Sequence, residues 1–171
     1  MNVVLTTDRL ILRQPNERDS VASAAFWASS RSHMMGGPWT PAEHRVEFDD
    51  LGAQWAKHGF SLFTITLKGS DAAVGLIGPF FPASHPEPGL GWSLWDIALE
   101  GREIAFEAAS AARDWFFANT PYRTAISYTN PENHRSHRLC QRMGAVVDAE
   151  AVCPDPPPVV TYRHFAKGGA L

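Results

Sequence analysis

Leu90-Gly91-Trp92-Ser93-Leu94-Trp95 followed by Glu100-Gly101-Arg102-Glu103-Ile104-Ala105 decides the fold. The first six residues read as a strand. From Ile104 onward, Ala108, Ala111, Ala112, Trp115 and Phe116 recur at the spacing of one buried helix face, and Thr120-Pro121 ends the run. The segment is thus a strand, a turn and a long helix whose N-terminus lies at Gly101-Arg102-Glu103. Such a helix start presents backbone N–H groups without intrahelical acceptors and the positive end of the dipole, which favours an anion such as phosphate. A tight turn at Gly101 and a dipole-complementing carboxylate at Glu103 explain the same residues without a ligand.

Upstream, Phe60–Leu67 and Ala73–Phe80 are β-rich runs joined by a Lys68-Gly69-Ser70-Asp71 hairpin turn. Thr7–Arg13 alternates as a first strand, and 17–29 is rich in helix formers. Pro41–His58 reads as a helix with Thr40 as N-cap and Glu43 three residues on. Downstream, Thr124–Tyr128 is a fifth strand. Asn133 opens a short helix to Met143, Gly144 closes it in a left-handed conformation, and Val159–Phe165 is the last strand. The prolines at 154 and 156–158 form a stiff connector, and 167–171 a frayed tail. With no repeat or linker, residues 1–171 make a single α/β domain.

Fifteen basic residues against 18 acidic ones give a formal charge of -3, without the basic excess that draws nucleic acid or a membrane surface. The longest apolar stretch, 72–81, is broken by Gly75, Gly78 and Pro79 and is too short to span a bilayer. The first ten residues lack the pattern of a secretory signal, so Cys140 and Cys153 are expected as free thiols in the cytoplasm.

A second constellation follows the fifth strand: Asn133-His-Arg-Ser136, then Leu139, Arg142 and Gly144. It resembles the late motif of the GNAT superfamily of acyl-CoA N-acyltransferases, in the branch of ribosomal-protein N-terminal acetyltransferases. Thr7–Arg13 resembles that branch's opening strand, Leu90–Leu94 its fourth strand and Glu100–Ala108 its pyrophosphate turn, so the likeness covers nearly the whole chain in order.

The resemblance implies a six- to seven-stranded, mainly antiparallel mixed sheet, splayed between its fourth and fifth strands and flanked by about four helices. Acetyl-CoA would be the co-substrate. Its pyrophosphate would lie on the amides of Glu100, Gly101, Arg102, Glu103, Ile104 and Ala105, and its pantetheine arm along Leu94 and Trp95. Asn133 and Ser136 would complete the cofactor contacts, with Ser136 protonating the departing thiolate. Cys140 stands where other branches carry a tyrosine acid, and also fits a small buried residue. Two positions depart from the family. Glu103 replaces a glycine, bringing a carboxylate to the pyrophosphate turn unless it points to solvent or pairs with Arg102. The glutamate that relatives carry before the Leu-Gly-Trp strand is absent, leaving Glu87, His85 and Asp155 as candidate bases.

The implied function is N-acetylation of a primary amine, on a small molecule or a peptide N-terminus, by direct attack in a ternary complex. The rival is a GNAT-like sensor or scaffold that binds acyl-CoA without turnover. Aromatic residues of the early helices, Trp39 among them, would build the acceptor pocket, and a homodimer is within the family's range. His134, His137 and Cys140 share a helix face, but Arg135 and Arg138 between them oppose a cation, so no metal is expected. Arg135, Arg138 and Arg142 form a basic stripe read as a solvated face near the coenzyme's 3′-phosphate.

Overall fold

The computed structural model describes residues 3–154 and 159–169. The strands are β1 (Val4–Thr6), β2 (Leu10–Arg13), β3 (Phe63–Leu67), β4 (Ala73–Phe80), β5 (Gly89–Leu94), β6 (Thr124–Thr129), β7 (Val146–Val147) and β8 (Val160–Phe165). The helices are α1 (Ser20–Trp27), α2 (Pro41–His58), α3 (Ile104–Asn119) and α4 (His134–Arg142), with short 3-10 turns at Glu17–Asp19, Ser30–Met35 and Ile97–Leu99. All strands join one sheet in the order β1-β2-β3-β4-β5-β6-β8-β7, antiparallel except for β5 and β6.

Among the described residues eight strands stand where six or seven were expected, because two short ones carry too little pattern to read. The run Thr7–Arg13 is not one strand. Thr7 Oγ1 accepts the Leu10 amide at 3.0 Å, forming a tight turn that folds β1 back onto β2. β7 has only two residues. The expected helix over 17–29 divides into a 3-10 turn and α1.

Neighbouring residues of a strand face opposite sides of the sheet. On one side Ile77 joins Phe63, Ile65 and the inner face of α3, where Ala108, Ala112 and Phe116 are fully buried. Gly78, at φ 132, lets α3 come close: a Cβ there would stand 3.0 Å from the Phe63 ring and 3.5 Å from Ala112. On the other side Leu76 and Trp95 pack with Phe26 of α1 and Phe48 and Leu51 of α2. α2 begins in a full capping box between Thr40 and Glu43 and ends at Gly59 in the left-handed region. Of the tail expected over 167–171, residues 167–169 are described and form a turn in which Gly169 donates to Ala166 at 2.9 Å, while 170 and 171 lie outside the described residues. Residues 155–158 of the proline connector also lie outside them.

Candidate active site

β5 and β6 meet at a single register pair, Gly89 with Ile126. The Ile126 amide donates to the Pro88 carbonyl at 3.0 Å, and Ser127 Oγ to the Leu90 carbonyl at 2.6 Å. Past this apex β5 stays paired with β4 through Leu94, and β6 stays paired with β8 through Thr129. Each strand follows its outer, antiparallel neighbour, so the two inner strands part and a wedge opens.

The wedge continues into a cleft of about 620 Å³ that reaches the α1 and α2 side of the sheet. At the wedge end its walls are Gly91, Trp92, Ser127, Asn133 and Ser136; at the far end they are Trp27, Trp39, His44, Glu47 and Asp50. The Trp27 and Trp39 rings stack at 3.7 Å, inclined by 6°. His44 is buried beside Ser23 Oγ at 2.9 Å, and burial followed by the Arg45 charge lowers its pKa, favouring the neutral ring. Gln54 donates to Asp50 at 2.5 Å and accepts the Phe81 amide at 2.7 Å. Partial desolvation, then the neighbouring Asp50 charge, raises the pKa of the Glu47 carboxyl, although the residue as a whole is exposed. None of these α2 residues was singled out from the sequence. The available signal was a polar line at positions 44, 47, 50 and 54 flanking the apolar stripe of Phe48, Leu51 and Trp55.

At the other end of β5 the turn into α3 carries two left-handed residues, Gly101 at φ 73 and Glu103 at φ 65. Glu107 N donates to Glu103 O at 3.0 Å, so the amides of 104 to 106 precede that helical bond and face the turn. Arg9 secures this end, bonding the Glu107 carboxylate at 2.7 Å and the Arg102 carbonyl at 2.8 Å. Ile104 is core, 4 % exposed. The Glu100 carboxylate is divided between Arg31, at 2.7 Å, and Arg135 of α4. Of the two alternatives left open for Glu103, its side chain is half exposed to solvent and its ionic partner is Arg142 of α4 in place of Arg102, which holds its carboxyl below the usual range. Two of the three arginines of the α4 stripe therefore reach the turn while their side chains stay largely exposed, in keeping with the solvated face read from the sequence.

Leu94 and Trp95 present their carbonyls to Arg31, and the Trp95 indole lies in the core, donating to Ser93 Oγ at 3.0 Å. Asn133 caps α4 by accepting the Ser136 amide at 3.2 Å, and Ser136 Oγ accepts the Trp92 indole N–H at 3.0 Å across the wedge. Cys140 is fully buried, and burial pushes its thiol up to about 12, which suits a packing role and makes it a poorer acid. His137 faces Tyr162 Oη at 3.0 Å and two backbone carbonyls, and no group placed to hold a metal occurs among the described residues.

The candidate bases separate. Glu87 forms a two-pronged ion pair with Arg163, at 2.6 and 3.0 Å, and is not among the cleft's lining residues. His85 lines the cleft, edge-on to Phe80 and Tyr128. Asp155 lies outside the described residues.

A family model described as acetyltransferase (GNAT) domain matches residues 9–146. An acetyltransferase of known structure from Agrobacterium tumefaciens str. C58 is 35% identical, with 96% of this chain and 95% of that one aligned at a TM-score of 0.91. The chain belongs to the GNAT acetyltransferase family. Two further GNAT structures share the fold at lower identity. The ribosomal-protein-S5-alanine acetyltransferase from Vibrio fischeri is 18% identical, covering 97% and 98% of the two chains at a TM-score of 0.70. A ribosomal L7/L12 alpha-N-protein acetyltransferase, solved in complex with coenzyme A, is 14% identical, covering 98% and 100% at a TM-score of 0.76. The GNAT fold uses acetyl-CoA as its acyl donor. The mixed sheet opening between the expected fourth and fifth strands, here β5 and β6, agrees with the resemblance read from the sequence. No helix among the described residues is long and apolar enough to cross a membrane.

Proposed function

We propose that this GNAT enzyme moves an acetyl group from acetyl-CoA to a primary amine, on a small molecule or a peptide N-terminus, by direct attack in a ternary complex. The observation that carries the reading is the continuity of the cleft: it joins Ser136 in the wedge to an aromatic and acidic end at Trp39, Glu47 and Asp50. Acetyl-CoA and an amine entering from opposite sides would meet within it, the geometry that direct attack requires.

The turn Glu100–Ala105 supplies amides for the pyrophosphate, with Arg135 and Arg142 beside it for phosphate charge. Ser136 is the acid for the departing sulfur. Glu87 is engaged by Arg163, so the ammonium proton is assigned to Glu47, which lines the cleft and whose raised pKa brings it nearer neutrality. The Trp27–Trp39 stack gives the acceptor's apolar body a flat wall.

The test is a CoA-release assay with acetyl-CoA over amino acids, polyamines, aminoglycosides and N-terminal peptides. Release with at least one amine class supports the proposal. Tight acetyl-CoA binding without release over the whole panel marks a sensor or scaffold.

A further inference from the structure

Trp92 stands on β5 opposite Ile77 of β4, and its indole crosses the open wedge to Ser136 on α4. The contact is Nε1 to Oγ at 3.0 Å, and both residues line the cleft. Its direction is fixed by chemistry. An indole N–H can only donate, whereas a hydroxyl has one proton and two lone pairs. Ser136 Oγ therefore accepts from Trp92, and its own proton remains for an acceptor in the cleft. The indole is held from other sides as well: it packs with Cys140 and Tyr162, and its ring meets His164 edge-on at 6.4 Å and 83°.

We infer that Trp92 is the positioning residue of the acetyl-transfer step: its N–H orients the Ser136 hydroxyl toward the departing sulfur and stabilises the charge that develops on Oγ. The inference rests on the proposed role of Ser136 as the acid. The amine nitrogen forms a bond to the thioester carbon, whose π pair moves to oxygen, and the ammonium proton leaves to the base. On collapse the oxygen pair re-forms the C=O bond and the C–S bond breaks with its electron pair on sulfur. The sulfur takes the Ser136 proton, and Oγ, accepting from Trp92, regains through water the proton that the base had taken from the ammonium. A donor aimed at an atom that becomes anionic stabilises the transition state more than the ground state, so it acts on kcat and not on binding.

The test is a double-mutant cycle of Trp92→Phe and Ser136→Ala in single-turnover acetyl transfer, with the acetyl-CoA Kd, the acceptor KM and the unfolding midpoint measured on each variant. Trp92→Phe is expected to lower the rate by about tenfold, the usual scale for a hydrogen bond to a charged group, with Kd and KM within twofold. In the Ser136→Ala background it should cost nothing further. Losses that multiply, or a change confined to Kd or KM, would overturn the inference. If Ser136→Ala alone leaves the rate unchanged, the role of Ser136 fails first. If Trp92→Phe lowers the unfolding midpoint, a benzothienylalanine at position 92, which keeps the shape and replaces the N–H by sulfur, decides between packing and donation. A normal rate with that residue overturns the inference, and the same tenfold loss upholds it.

Discussion

The Glu103 carboxylate accepts both terminal guanidinium nitrogens of Arg142, joining the first turn of α3 to the last turn of α4 at the mouth of the wedge. Arg142 in turn lies over the Phe106 ring at 4.3 Å. The carboxylate that departs from the family pattern is thus neutralised from the neighbouring helix. A phosphate arriving at the turn would compete with Glu103 for that guanidinium. Glu103→Gln should therefore tighten CoA by roughly two- to fivefold, and Arg142→Ala should weaken it by a similar factor. Titration calorimetry at about 50 and 500 mM salt checks this, because both effects should shrink as screening increases.

Glu103 is also the one non-glycine residue at positive φ among the described residues. Replacing it with glycine removes the crowding that a Cβ meets in that conformation. Glu103→Gly should raise the thermal midpoint by about 2–4 °C. An unchanged or lower midpoint would mean that the exposed ion pair contributes more than the backbone relief.

The raised Glu47 carboxyl predicts that the acidic limb of the kcat/KM profile lies above the ordinary carboxylate range. Its base form is present only above that pKa, so activity rises with pH through it. Glu47→Gln should remove the limb and lower the plateau by about 10²-fold, the small end of general-base effects. A retained limb would move the role to another cleft residue.

His164 is buried, and burial, then the Arg113 charge, hold its pKa at about 4. An unfolded chain takes up this proton near pH 6.5 and the folded one only near pH 4, so stability is full above 6.5 and falls as pH drops between the two values. The loss between pH 7 and pH 5 should be about 2 kcal/mol in denaturant titrations, and His164→Gln should flatten it. The paired carboxylate Asp19, whose pKa is lowered, contributes its own loss only below this window.

At the apex of the wedge a Cβ on Gly89 would stand 2.6 Å from the Phe80 ring and 3.2 Å from the Ile126 carbonyl. Gly89→Ala should destabilise by about 1–3 kcal/mol as the ring and the strand give way. Gly91→Ala, whose Cβ would meet the same ring at 3.1 Å, should lose less, and chemical denaturation ranks the two.

The sequence by itself determined the features that depend on neighbours along the chain. The Thr40–Glu43 capping box, the Lys68–Asp71 hairpin turn, the apolar face of α3 and the Asn133 cap of α4 are each set by local geometry and side-chain chemistry, and each stands where it was read. The ordered motifs carried the family as well. Only the tertiary structure decided how the site is wired. Arg31 to Glu100 spans 69 residues, Trp92 to Ser136 spans 44, and Glu87 to Arg163 spans 76. A carboxylate on a polar helix edge looks the same in sequence whether or not it borders the cleft: Glu43 and Glu47 are both exposed, and only Glu47 lines it. Such choices are made when the sheet parts and the helices settle against it, because the burial, charge and donors that give a side chain its chemistry come from distant segments of the chain.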